Sequence, residues 1–235
     1  MTEKDWQALS PEEINRLFAT SKGAISSDVT SGRPSLASVR FDTAGYQYRG
    51  QQAAGRDHIW STPEGDLVAL RYCPGSPGFV ENARSVEELR AGLESRKKAT
   101  SGQVVEVRVR RTKSRPAIQV IFKMPRNSGW TYFGTLCVPF RDFGFVIQAE
   151  CHERGMTGMR EVMVMYFHNI GETRRIPQAV PPCLPWDPDN ARFDHLFSDH
   201  PLSRLRRFLN RVSDSVEIEA AILELPGFSL PESGV

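Results

Sequence analysis

The chain has 235 residues, of which 40% are hydrophobic and 25% are charged, as is ordinary for a soluble globular protein. This length suits one large domain, or one domain with extensions, and no stretch approaches the ~20 apolar residues of a membrane-spanning helix. A net charge of +2 excludes a general electrostatic attraction to nucleic acid or to a membrane surface.

The polar N-terminal segment is predicted to contain the first helix. Ser10 and Glu13 form a capping box with an early proline, and Ile14, Leu17 and Phe18 fall on one helical face. An irregular connector rich in Ser, Gly and Thr follows. Since the start of the chain lacks the apolar core of a signal peptide, the sequence predicts a cytoplasmic protein.

Strand-like patterns dominate the middle of the chain. The clearest is a hairpin, His58–Ser61 and Leu67–Tyr72, whose turn contains proline and glycine. In a later strand, Val105, Val107 and Val109 are predicted to point to one face. The other predicted elements here are extended segments at Leu36–Phe41 and Tyr46–Tyr48, a helix that begins at the Ser85 capping box, and strands at Gln103–Arg111, Ala117–Met124, Thr131–Val138 and Phe143–Ala149.

The segment Met159–His168 fits either a helix or a strand. Its β-branched and aromatic residues permit a strand, whereas Val162, Met163, Met165 and Tyr166 suit a helix that packs on a sheet. We predict the helix, with these four side chains facing the sheet.

The C-terminal region is predicted to be an extended strap followed by a helix. Gly171–Pro188 is rich in proline, and Pro201–Val212 has an apolar stripe with arginines over the rest of its surface. The whole pattern predicts an α+β fold with a central antiparallel sheet flanked by helices. It divides into an N-terminal helix and connector (1–34), a sheet domain (35–170), and a strap and C-terminal helix packed on that domain (171–235).

Two features of the sequence are interpreted as structural rather than catalytic. The four cysteines, Cys73, Cys137, Cys151 and Cys183, form no CxxC pair and are expected to be reduced and mostly buried. Asp142–Gly144 has the letters of the metal-binding tripeptide of protein kinases, but no glycine-rich loop or catalytic loop precedes it. We interpret it as a polar turn between two strands.

Four side chains near the last helix could bind a metal ion. Asp194, His195, Asp199 and His200 offer carboxylate and imidazole ligands of the kind that zinc prefers. The two histidines would point about 140° apart on a helix, which is unsuitable for shared ligation. The alternative is that Asp199 or His200 caps the helix that follows. A small metal-dependent hydrolase that uses this region is the second hypothesis for function.

Glu150, His152 and Glu153 end a predicted strand, with Cys151 between the first two. A cysteine and a histidine next to each other on a strand point to opposite faces, so they form no nucleophile–base pair there. Solvated residues at a strand end are the favoured interpretation. An enzyme would be favoured if at least three of Glu150, His152 and the four side chains above met in one pocket. Because no GxSxG, HExxH or P-loop motif occurs, the sequence predicts no catalytic residue, cofactor or metal.

A basic hairpin is the candidate surface for binding a partner. Arg108, Arg110, Arg111 and Arg115 concentrate there and could hold phosphates or an acidic protein surface. Glu106 interrupts the cluster, and an exposed strand needs charge to discourage edge pairing. A solvated strand face is therefore favoured over nucleic-acid binding, and another protein is the expected partner.

Four segments carry a family resemblance: GDLVALRY (65–72), SVEELR (85–90), VPFRDFGFVIQAEC (138–151) and TGMREVMV (157–164). In this order they resemble the Mog1/PsbP/DcrB-like group, and especially its uncharacterised bacterial members, over just under half of the chain. The resemblance implies an α/β/α sandwich and a non-enzymatic binding or adaptor role. No binding residue of that group can be matched to a position here. The leading hypothesis is a cytoplasmic bacterial protein-binding module, either a secretion adaptor or chaperone or an immunity-type protein.

Overall fold

The structure is a computed structural model, and it describes residues 34–52, 57–75, 85–96, 102–126, 129–173 and 187–228. The predicted N-terminal helix lies outside the described residues, as do Cys183 and most of the proline-rich strap. None of the described helices is long and apolar enough to cross a membrane.

Nine strands and four α-helices make up the described fold. The strands are β1 (Val39–Arg40), β2 (Gln47–Gln52), β3 (Asp57–Ser61), β4 (Leu67–Pro74), β5 (Gln103–Arg111), β6 (Pro116–Pro125), β7 (Trp130–Pro139), β8 (Phe143–His152) and β9 (Glu217–Ile218). The helices are α1 (Val86–Arg96), α2 (Met159–Thr173), α3 (Pro201–Ser215) and α4 (Ala220–Leu223), with short 3₁₀ helices at Leu36–Ser38 and Ala191–Phe193. The predicted extended segment at Leu36–Phe41 is therefore wrong over its first three residues.

Seven strands form one antiparallel sheet in the order β2-β3-β4-β8-β7-β6-β5. Within it, β2 to β4 and β5 to β8 are two meanders of consecutive strands, and the pairing of β4 with β8 joins them. The β1 strand pairs separately with β9. The predicted α+β class with a large antiparallel sheet is confirmed, as is the predicted β3–β4 hairpin.

Helices lie against both faces of the sheet. Because successive strand residues point to opposite faces, Leu136 and Ile147 join the larger core with α3, whereas Cys137 and Val146 join a smaller core with α1. The smaller core is completed by Leu89 and Leu93, both fully buried. The Ser85 hydroxyl accepts a hydrogen bond from the Glu88 amide at 3.1 Å, which confirms the predicted cap of α1.

The strand β5 departs from the predicted alternation. Its pairing register with β6 shifts between Val104 and Glu106, so one extra residue is inserted as a bulge. Val104 and Val107 are buried in the core beside α1, while Val105 packs against the opposite core. The prediction that Val105 and Val107 share a face is therefore wrong, because the bulge reverses the side-chain direction between them.

The α3 helix approaches β7 closely at Gly134. A Cβ atom added there would lie 2.7 Å from Leu205 Cδ1 and 2.9 Å from Leu209 Cδ1, both on the buried face of α3. Glycine at this position thus allows the helix to dock on the sheet.

Replacing Gly134 by valine is expected to lower the free energy of unfolding by about 3 kcal/mol, the upper end of the range for overpacked cores. Urea unfolding monitored by circular dichroism measures this loss of stability. Gly92 in α1 is the matched control, since a Cβ there meets nothing within 4 Å. Gly92→Ala should leave stability unchanged or raise it by up to about 1 kcal/mol. Equal stability of Gly134→Val and the native chain would refute the close approach.

Candidate functional site

Glu153 follows β8 directly and is nearly buried, with 4% of its side chain exposed. Its Oε2 accepts a hydrogen bond from the Trp130 amide at 2.8 Å, and its Oε1 accepts one from the Gly158 amide at 3.2 Å. Burial acts to raise the pKa of Glu153, but the contact with His200 and the hydrogen bonds from the Trp130 and Gly158 amides outweigh it and lower the pKa. The solvated strand end predicted for Glu153 is wrong, because these donors draw the carboxylate inward.

His200 is the N-cap of α3, one of the two alternatives predicted for it. Its Nδ1 accepts a hydrogen bond from the Leu202 amide at 3.2 Å, so the proton of the neutral ring is on Nε2. That Nε2 is buried and lies 3.4 Å from Glu153 Oε1, a close contact without a hydrogen bond. Glu153 and His200 therefore tie the end of β8 to the start of α3.

Glu161, on the inner side of α2, completes a cluster with this pair. One ligand atom from each of Glu153, Glu161 and His200 lies within 4.8 Å of the others. Both carboxylate oxygens of Glu161 are buried, and neither has a hydrogen-bond partner among the described residues. Two carboxylates at this separation repel each other by about 3.5 kcal/mol at an effective dielectric constant of about 20.

Tyr132 on β7 forms the floor beneath these side chains. It is fully buried, its ring meets that of His200 edge-on at 5.3 Å, and its hydroxyl has no hydrogen-bond partner among the described residues. Burial raises the pKa of the phenol far above its usual range, and the charges of Asp189, Glu161 and Glu153 add to this. We call Tyr132, Glu153, Glu161 and His200 the acidic pocket.

The nearby cations are paired with other acids. Lys123 forms an ion pair with Asp189 and lies 4.9 Å from the centre of the Trp130 ring. Arg160 is fully buried and contacts Asp194 at 2.9 Å. The acidic pocket therefore contains two carboxylates and an imidazole, and none of its described contacts is an ion pair with lysine or arginine.

Arg160 fixes α2 to the segment before α3. It donates hydrogen bonds to the Pro188 carbonyl at 2.6 Å, the Asn190 carbonyl at 2.9 Å, the Ser203 hydroxyl at 2.9 Å and Asp194 Oδ1 at 2.9 Å. Four contacts to one buried guanidinium explain why a charged residue occupies the inner side of α2. Because Asp194 is one of the four acceptors, its carboxylate is held in an ion pair with Arg160.

The outer side of α2 is apolar. The predicted helix is confirmed, but the expectation that Val162, Met165 and Tyr166 face the sheet is wrong. Val162 is 56% exposed and Tyr166 is 54% exposed, and Met159 and Met165 are also exposed. Arg160 and Val164 point inward instead. We call Met159, Val162, Met165 and Tyr166 the apolar face.

A cleft of about 490 Å³ opens beside the first turn of α2. Its lining is part apolar, with Met156 and Leu196 exposed, and part charged, with Arg154 and Arg204 among the charged residues. Glu153 and His200 also line the cleft, so it leads from the apolar face to the acidic pocket.

The metal ligands and acid–base groups proposed from the sequence do not come together. No three of Glu150, His152 and the four side chains at 194, 195, 199 and 200 form a ligand cluster among the described residues. His195 and Asp199 are exposed. Glu150 Oε1 lies 3.3 Å from His152 Nε2 and 3.3 Å from an Arg126 Nη atom.

Burial shifts the groups near the end of β8 toward their neutral forms. It raises the pKa of Glu150 against the opposing charge of Arg126, and it lowers the pKa of His152 together with that charge. Cys151 lies in the large core, where burial raises the pKa of its thiol well above the ordinary value. Burial likewise raises the pKa of Cys73 to about 11. These free thiols are poor nucleophiles, as predicted for mostly buried cysteines.

The four arginines of the basic hairpin occupy different environments. Arg108 forms an ion pair with Glu106, and Arg110 donates to Gln119 Oε1 at 2.9 Å. The guanidinium of Arg115 lies 4.3 Å from the centre of the Phe140 ring, and Arg111 is exposed. A role for these arginines in binding a partner stays a prediction.

Comparison with models of known protein families and with curated proteins found no match. Function therefore has to be argued from the acidic pocket, the apolar face and the cleft between them. The pocket contains ionisable groups without described partners, and the apolar face is an exposed hydrophobic surface on a helix.

Proposed function

We propose that the protein is a non-enzymatic binding module that holds an amphipathic helix of another protein on the apolar face of α2. The exposure of Met159, Val162, Met165 and Tyr166 carries this proposal. The rest of the fold buries its apolar residues on both faces of the sheet, so an uncovered apolar helix surface lowers its stability in water. Exposed apolar patches of this kind commonly mark interaction sites.

The shape and chemistry of this surface favour a helical partner. From Met159 to Tyr166 the apolar face covers about two turns, or roughly 10 Å of helix axis. That length matches the anchor spacing of an amphipathic helix, with apolar side chains at i, i+4 and i+7. Methionine side chains adapt to different apolar shapes, and the neighbouring cleft of about 490 Å³ can receive one large side chain.

The layering of the fold supports an adaptor role by analogy. The position of α1 on one face of the sheet and α3 on the other is compatible with an α/β/α sandwich, and we propose that this sandwich resembles the Mog1/PsbP/DcrB-like group. A cytoplasmic secretion adaptor, or an immunity-type protein of bacteria, is the corresponding biological role. A metal-dependent hydrolase that uses residues 194–200 has less support, since Asp194 pairs with Arg160 and His200 caps α3.

Site-specific crosslinking followed by affinity measurement tests the proposal. A photoreactive benzoylphenylalanine at position 162, introduced into the chain in its native host, should crosslink to one partner protein that is then identified and purified. The same amino acid at Lys113, an exposed position on the β5–β6 turn, is the control and should not crosslink to it. A crosslink only to a second copy of the chain would refute the proposal.

Affinity for that purified partner should depend on the apolar face. The double variant Val162→Glu/Tyr166→Glu is expected to bind at least about 30-fold more weakly, because it removes two interface side chains of hot-spot size. Its stability should change by no more than about 1 kcal/mol, since both side chains are exposed. Lys113→Glu should bind normally. Equal affinities of the native chain and the double variant would show that the partner binds elsewhere.

A further inference from the structure

We propose that the acidic pocket is a binding site for a hard divalent cation, which links α2 to the end of β8 through Glu161 and Glu153. This site is independent of what binds to the apolar face. Its starting observation is Glu161, whose two buried carboxylate oxygens have no hydrogen-bond partner among the described residues. A buried carboxylate requires a compensating charge or donor.

Tyr132 supplies an independent observation. Its side chain is fully buried, and its hydroxyl is likewise without a described partner. Its ring meets that of His200 edge-on at 5.3 Å, which places Tyr132 against the cluster. The two Glu161 oxygens and the Tyr132 hydroxyl thus have no described partner, whereas each oxygen of Glu153 accepts a hydrogen bond from a backbone amide.

The separation of the ligand atoms suits a single ion. Oxygen ligands lie about 2.0 to 2.6 Å from Mg²⁺ or Ca²⁺, so two ligands of one ion are at most about 5 Å apart. The ligand atoms of Glu153, Glu161 and His200 lie within 4.8 Å of one another. An ion between Glu153 and Glu161 would also replace their mutual repulsion with attraction to a shared positive charge.

The donor set favours Mg²⁺, Mn²⁺ or Ca²⁺ over zinc. His200 directs its protonated Nε2 at Glu153, because its Nδ1 is occupied by the Leu202 amide. It is therefore a positioning residue that holds Glu153, and the ligands are the carboxylate oxygens of Glu153 and Glu161 with the hydroxyl of Tyr132. Oxygen ligands select hard cations.

Metal titration of the full chain tests the site. After treatment with EDTA and dialysis, the native chain should bind one Mn²⁺, measured by the loss of the free-ion signal in electron paramagnetic resonance. Mg²⁺ or Ca²⁺ should compete for it. The Tm should rise by about 5 °C or more at a metal concentration of about 100 times the Kd.

Glu161→Gln is the decisive variant, because it removes the charge and keeps the shape. It should lose Mn²⁺ binding and the metal dependence of the Tm, while its Tm in EDTA should equal or exceed that of the native chain. Tyr132→Phe should weaken Mn²⁺ binding by about tenfold. Glu94→Gln, in the exposed Arg90–Glu94 pair of α1, should behave like the native chain.

Three results would overturn the proposal. The first is a native chain that binds none of the three ions. The second is a Glu161→Gln variant that melts well below the native chain in EDTA, which would show that Glu161 is already paired with a protein cation. The third is a Tm that rises on acidification and does not change when metal is added. That result would show that the two carboxyl groups share a proton instead of a metal ion.

Discussion

Replacing Arg160 by methionine is expected to lower the free energy of unfolding by about 3 to 5 kcal/mol, the usual loss when one partner of a buried ion pair is removed. Methionine fills much of the volume but cannot donate. Asp194 would keep its contacts with Arg206 and the Ser203 hydroxyl, and the Asn190 carbonyl would keep the Phe193 amide, but the Pro188 carbonyl would lose its buried donor. An unmet acceptor of this kind adds about 1 to 3 kcal/mol to the loss.

Chemical denaturation of the two proteins measures this loss, with Arg141→Met as the control. The side chain of Arg141 is mostly exposed and, among the described residues, forms an ion pair with its neighbour Asp142 alone, so its replacement should cost no more than about 0.5 kcal/mol. Arg160→Met should also weaken partner binding, since Arg160 holds α2 in place. If Arg160→Met were as stable as Arg141→Met, the four contacts of Arg160 would have no energetic role.

The second large effect is expected at Asp66, the last residue of the β3–β4 turn. Asp66 Oδ2 accepts from Arg204 Nε at 2.9 Å, and its Oδ1 accepts from Arg204 Nη2 at 2.9 Å. Only 5% of the Asp66 side chain and 11% of the Arg204 side chain are exposed. Asp66→Asn would leave a nearly buried guanidinium without its carboxylate, and should lower the free energy of unfolding by about 3 kcal/mol.

A double-mutant cycle isolates this pair. The double variant Asp66→Asn/Arg204→Met should lose far less free energy of unfolding than the two single variants lose in total. The coupling energy should be about 2 kcal/mol or more. The exposed pair Arg90–Glu94 gives the reference cycle, where about 0.5 kcal/mol or less is expected. Equal couplings in the two cycles would contradict the importance of burial at Asp66.

Elements decided by neighbouring residues were predictable from the sequence. The β3–β4 hairpin depends on the residues of its own turn. The cap of α1 depends on the Ser85 hydroxyl, which accepts a hydrogen bond from the Glu88 amide three residues later. Both features therefore follow from local chemistry. The His200 cap of α3 belongs to the same class. The bulge at Val105 was missed because alternation alone carries no sign of an inserted residue.

The orientation of α2 depended on tertiary structure. Residues 162–167 are all apolar, so periodicity could not decide which side of the helix faces the sheet. The informative signal was the pair Arg160-Glu161 inside an apolar run, since charges in such a run either face solvent or have a specific buried role. The structure assigns both residues to the inner side, which leaves Val162 and Tyr166 outside.

The acidic pocket could not be assembled from the sequence. Tyr132, Glu153, Glu161 and His200 come from β7, the end of β8, α2 and the start of α3, and no local motif relates them. His200 was considered as a metal ligand beside Asp199, but its contact is Glu153, 47 positions earlier in the chain. Sequence reasoning could identify the individual groups but not their convergence.

The pairing of β4 with β8 has a consequence for how the chain folds. Leu67 pairs with Glu150 and Pro74 with Phe143, so these partners are 83 and 69 residues apart, whereas every other strand pair in the large sheet is between consecutive strands. Contacts of long sequence separation form late, because the chain must first lose the entropy of closing the loop. During synthesis, β4 therefore remains an unpaired apolar edge until β8 has left the ribosome. In that interval the nascent chain is most exposed to aggregation and most dependent on chaperones.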